Sequence, residues 1–124
     1  MKRTVRRKQF LHDIFVTACE GGSNYWANIR EYHWSIDRKG EEADLDKYYA
    51  IFEDVEGDGT KWRVDITVVS RGINKIVNGD HKGLHDSFAG QIMSDNAVNE
   101  CRIMDAMLAD CIVQMGLFGE VVYG

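Results

Sequence analysis

An α+β fold is the class this sequence predicts, and three observations carry the expectation. Apolar residues recur at helical spacing near both ends and in the middle of the chain. Strand-like alternation occupies the stretch after the first helix, and glycine does all the punctuation because the chain has no proline. The expected architecture is a small antiparallel three-stranded sheet packed against about four helices, with a buried C-terminal helix. At 124 residues the chain has the length of one globular domain, 1–124, able to bury a core.

The first helix is expected over about Val5 to Cys19, where Phe10, Leu11, Ile14, Phe15, Ala18 and Cys19 share one face. Gly21 then stands where a left-handed residue would end it. Trp26 to Ile36 reads as a strand with Arg30, Tyr32, Trp34 and Ile36 on one side and Ala27, Ile29 and Glu31 on the other. Asp37 to Asp46 is charged and aperiodic, an exposed loop. Tyr48 to Val55 is a second strand, Gly57-Asp58-Gly59 a hairpin turn, and Lys61 to Val64 a third strand.

The next segment supports two readings. Trp62, Val64, Ile66 and Val68 alternate like a strand, whereas Asp65 suits an N-cap and Ile66, Val69, Ile73, Ile76 and Val77 fall on one helical face. The later spacing favours a helix over about Ile66 to Val77, ended by Gly79. A weakly patterned helix over about Leu84 to Ala97 follows. The last helix, about Ile103 to Leu117, is apolar nearly all round, which suits the centre of a bundle or a dimer interface. Gly116 and Gly119 would loosen its end, and Phe118, Val121, Val122 and Tyr123 form a sticky terminus.

Charge is split unevenly. Lys2, Arg3, Arg6, Arg7 and Lys8 make a basic N-terminal arm at 1–8, leaving ten basic against twenty acidic residues beyond it. A basic arm on an acidic body is not the pattern of a duplex DNA binder. It reads first as a solvated terminus and second as a contact for phosphate or an acidic partner. Cys19, Cys101 and Cys111 are odd in number and form no C-x-x-C pair, which suits inert core thiols in a reduced, cytoplasmic compartment. No leader pattern is read at the N-terminus, and no apolar run approaches the roughly 20 residues of a spanning helix, so no membrane association is expected.

Catalytic and metal motifs are missing. His81 and His85 are four apart, but Gly79 and Gly83 place them in a loop and no third ligand has suitable spacing, so neither a metal nor a cofactor is expected. His12 and Asp13 point about 100° apart on a helix and cannot pair with each other. Asp105 and Asp110 interrupt the apolar last helix, and one of them is expected to be buried in a salt bridge with Arg71 or Arg102. The aromatics Tyr25, Trp26, Tyr32, Trp34, Tyr48 and Tyr49 would stack bases or a partner if outward, and are core if inward.

The candidate site is the stretch after the first helix. Glu20, Gly21, Gly22, Tyr25 and Trp26 combine an acid, a flexible turn and two aromatics that each offer an apolar face and a polar edge, and Arg71 is the candidate cation beside them. The pattern Phe10-Leu11…Glu20-Gly21-Gly22-x-x-Tyr25-Trp26, closing on Gly116-Leu117-Phe118-Gly119-Glu120-Val121-Val122-Tyr123-Gly124, resembles a family of small uncharacterised phage and actinobacterial proteins. That resemblance implies an accessory gene of virus type, acting on host machinery or a small signalling molecule, with counter-defence as a context. The expected function is therefore a non-enzymatic binding protein for a host protein or small ligand, oligomeric through its last helix. The alternatives are nucleic-acid or nucleotide binding through the basic arm and sheet aromatics, and an enzyme of unrecognised type.

Overall fold

In the computed structural model, residues 2–33, 45–56 and 58–124 are described. Trp34, Ile36, Gly57 and the expected loop as far as Asp44 lie outside them. The first helix, α1 (Val5–Thr17), begins where the Thr4 hydroxyl accepts the Arg7 N–H at 3.1 Å. It does not stop at a left-handed Gly21. The chain widens instead into one π-helical turn, Ala18–Gly22, and neither Gly21 nor Gly22 takes a positive φ. Gly22 is needed for a different reason: a Cβ there would collide with the Ala106 carbonyl oxygen.

Three strands follow, β1 (Ala27–His33), β2 (Tyr49–Asp54) and β3 (Lys61–Asp65), in the antiparallel order β1-β2-β3. Ile29 pairs with Phe52 and Phe52 with Trp62, and this row faces the helices. The expected alternation of β1 fails at one point. The register slips between Arg30 and His33, where Glu31 takes φ 44°, and this bulge turns Tyr32 onto the helix side against Phe15 rather than beside Arg30. The end of the expected loop is also ordered differently, as a 3₁₀ turn, Leu45–Lys47, with Leu45 buried.

Helix α2 (Ile66–Val77) settles the ambiguous segment. The Asp65 carboxylate accepts the N–H groups of Thr67 and Val68, and Gly79 with φ +80° follows the C-terminus. Helix α3 (Asp86–Val98) is capped by the His85 side chain and ends at left-handed Asn99. Helix α4 (Ala106–Phe118) starts three residues later than its apolar pattern suggests. Asp105 caps it through the Leu108 N–H at 2.8 Å, while the N–H groups of Arg102, Ile103 and Met104 all donate to the buried Asp95 carboxylate. Those three residues are thereby held out of the helix.

The core is centred on α4, whose residues from Leu108 to Gly116 are all buried. Its closest neighbour is α2. A Cβ on Gly72 would strike the Ile112 carbonyl, and one on Gly116 would strike the Val68 carbonyl, so the two backbones touch. Gly116 thus marks a helix crossing, not a loosened end. From Arg6 onward the basic arm is tied to the rest of the fold, with Arg6 exposed and Arg7 and Lys8 half-buried. The Arg7 guanidinium donates to Asn96 and Asn99 at 2.6 and 2.8 Å, Arg6 donates to the Val98 carbonyl, and Lys8 pairs with Asp46. Among the described residues no helix is long and apolar enough to cross a membrane.

Candidate functional site

Asp110 and Gln114 stand one turn apart on α4, so they share a face in a helix that is otherwise apolar there. Both are buried, and a buried carboxylate is costly unless its oxygens are matched with donors. Asp110 is matched four times. Oδ1 accepts from the Ser23 hydroxyl at 2.8 Å and the Trp26 indole N–H at 2.7 Å, and Oδ2 accepts from the Tyr25 hydroxyl and the Gln114 amide, each at 2.8 Å. The expected arginine partner is absent among the described residues. Arg71 donates instead to the Gly116 carbonyl at 3.0 Å and Arg102 to Glu100 at 2.7 Å. Four neutral donors from the turn after α1 and from α4 itself take the place of one cation.

Gln114 extends this network to the C-terminal tail. Its Oε1 accepts the N–H groups of Val122 and Tyr123, both at 2.8 Å, and its amide also lies 3.1 Å from the Tyr123 carbonyl. The Tyr123 ring then stacks on Trp26, with centroids 4.7 Å apart and planes 6° from parallel. Burial and the neighbouring Asp110 push the Tyr25 phenol up to about 12, so Tyr25 stays a neutral donor across the neutral range.

Beside this network lies a cavity of about 640 Å³, between the π turn, the start of α3, the start of α4 and the tail. Gly21, Gly22 and Tyr25 line one side, Leu84, His85 and Phe88 another, and Met107, Asp110 and Cys111 a third. Tyr25 and Met107 are about half exposed, at 54% and 47%. The Cys111 thiol is pushed up to about 11, first by burial and then by the Asp110 and Asp105 charges, so it lines the wall as a neutral group.

The six residues singled out from the sequence therefore separate. Gly21, Gly22 and Tyr25 line the cavity. Trp26 is 2% exposed, a core residue that supports the site through its bond to Asp110. Glu20 turns away and accepts the Tyr32 hydroxyl at 3.1 Å. Arg71 lines a different cleft of about 460 Å³, with Lys61, Arg63 and Thr67. Sequence reasoning does not single out Gln114, Phe88 and Met107, it sets His85 aside as a loop residue, and it expects an arginine partner for whichever of Asp105 and Asp110 is buried. The i,i+4 pair Asp110 and Gln114 in an apolar helix was the available signal.

His85 caps α3 by accepting the Ser87 N–H at 3.1 Å, and His81 lies 3.9 Å from Asp86. Among the described residues no group of three or more His, Cys, Asp or Glu is placed to hold a metal ion. The two tryptophans described, Trp26 and Trp62, point toward the helices and pack on Phe118, while Tyr49 lies under the Arg63 guanidinium at 4.6 Å. Comparison with protein-family models, with curated proteins and with solved structures finds no match to this chain.

Proposed function

We propose that this chain is a non-enzymatic binding protein whose site is the cavity between the Ala18–Gly22 turn, α3, α4 and the tail. Its ligand is a small molecule with an apolar body. The observation that carries this reading is the cavity itself: about 640 Å³, walled by Leu84, Phe88 and Met107, within the range typical of small-molecule sites. The half-exposed Tyr25 and Met107 flank it, as expected where a ligand completes the apolar surface. An accessory role in which such a molecule is sequestered from a host is the context the family resemblance suggests.

The test is native mass spectrometry of the protein purified from host lysate, beside a Met107→Trp variant that places an indole at the cavity. The expected result is a small molecule released on denaturation from the parent chain and not from the variant, with both equally folded by circular dichroism. A parent chain that carries nothing and gains no thermal stability from any member of an apolar fragment set would overturn the reading. Residues Leu108 to Gly116 of α4 are packed inside the chain, so an oligomer formed through this helix would have to use its exposed start at Met107.

A further inference from the structure

The cavity's chemistry narrows its ligand, and this step rests on the binding reading above. Asp110 is the charged side chain on the wall; among the described residues no lysine or arginine lines the cavity. Its four partners are neutral, so they satisfy its oxygens without cancelling its charge. In surroundings of low polarity that charge acts over a longer reach than it would in water. The starts of α3 and α4 also face the cavity, and helix N-termini by themselves favour anions with about half a unit charge each. Here the start of α4 already carries its own carboxylate, Asp105 at the cap, whereas Asp86 in the first turn of α3 stands in solvent beside His81. The nearest lysine along the chain, Lys82, is exposed and paired with Glu120. The fixed charge on the cavity wall is thus an anion.

We infer that the cavity takes an organic cation: an amine or ammonium nitrogen directed toward the Asp110 wall, on an apolar body packed against Leu84, Phe88 and Met107. The Tyr25 ring, half exposed beside Asp110, adds a π-face of the kind that attracts ammonium groups.

Matched probes of one skeleton test this: 4-phenylbutylamine, 4-phenylbutanol and 4-phenylbutyrate, and the same three head groups on a naphthylethyl body, titrated by calorimetry at pH 7. The amines are expected to bind about tenfold or more tighter than the alcohols, and the carboxylates more weakly still. Met107→Lys, at a half-exposed position that tolerates charge, should cut amine affinity about tenfold relative to Met107→Gln and leave the alcohols little changed. Asp110→Asn is a second probe of the same charge, provided its circular dichroism matches the parent. Alcohols that bind as well as amines would overturn the cation inference and leave the cavity reading standing. Carboxylates that bind tightest would also overturn it, and would assign the site to the helix starts. No binding by any of the six would overturn the cation inference, and the cavity reading falls with it if the native mass spectrum and the apolar fragment set are blank as well.

Discussion

Among the described residues two carboxylates are buried, Asp95 and Asp110, and they are satisfied in opposite ways. Asp95 accepts three consecutive backbone N–H groups, from Arg102, Ile103 and Met104, and so serves the loop that leads into α4. Asp110 accepts only side-chain donors, brought from the turn after α1 and from its own helix, and borders a cavity. A carboxylate bonded to backbone fixes one local turn. One bonded to side chains couples distant segments, and its charge remains available to whatever enters beside it.

The largest effect expected from this contrast is in stability. Asp110→Ala strands the donors of Ser23 and Trp26, both buried, while the Gln114 amide keeps the Tyr123 carbonyl. Each unmet buried donor costs about 1–3 kcal/mol, so a loss on the order of 4 kcal/mol is expected. Asp95→Ala frees the N–H groups of exposed Ile103 and half-buried Met104, while the Arg102 N–H keeps the Glu100 carbonyl at 3.1 Å, and about 2 kcal/mol is expected. Urea denaturation compares the two, and equal losses would break the distinction.

Glycines on the two sides sharpen it. At Gly22 a methyl group would drive the turn off the Ala106 carbonyl and pull Ser23 from Asp110, so Gly22→Ala should lower stability by about 2 kcal/mol. Gly90 sits in the α3 helix that carries Asp95, and a Cβ there meets nothing within 4 Å. Gly90→Ala should therefore raise stability by up to about 1 kcal/mol through helix propensity alone. Melting temperatures that shift in the same direction for both would contradict the assignment.

The smallest effect is in pH dependence. Tyr25 has its pKa raised from 10.0 to about 12 by burial and by Asp110. The folded chain holds this proton more tightly than the unfolded one, so the associated stability is complete below pH 10 and is lost as pH rises through about 12. Tyr25→Phe should make stability fall less steeply over that interval, as measured by urea midpoints at stepped alkaline pH. The remaining slope belongs to Tyr32, Tyr123 and the three cysteines, Cys19, Cys101 and Cys111, which are raised as well.

What the sequence made legible follows from the range of the forces involved. Helix α2 was readable because its cap and its apolar face are both local, and they outweighed the strand propensity of Ile66 to Val69. The fold class was readable from periodicity alone. The bulge at Glu31 was not, because a register slip depends on the partner strand as much as on β1. The site was half legible. Gly21, Gly22 and Tyr25 reach the cavity, but the polar centre joins residues more than eighty positions apart, and the preference for an arginine partner at the buried member of Asp105 and Asp110 came from a rule about charge that four neutral donors satisfy equally well. Trp26 is buried in the core, and a residue rich in contact area serves a core as readily as a ligand.

The crossing of α2 and α4 at Gly72 and Gly116 has a mechanical consequence. With carbonyls seated in the space where side chains would stand, those two helices behave as one welded beam, without the compliance that interdigitated side chains allow. Phe88 and Leu84 stand at the start of α3, which packs chiefly against α2, and the opposite border is the tail clasped by Gln114. Any opening of the cavity would have to come from these two borders, the latch and the outer helix, rather than from the beam that carries Asp110.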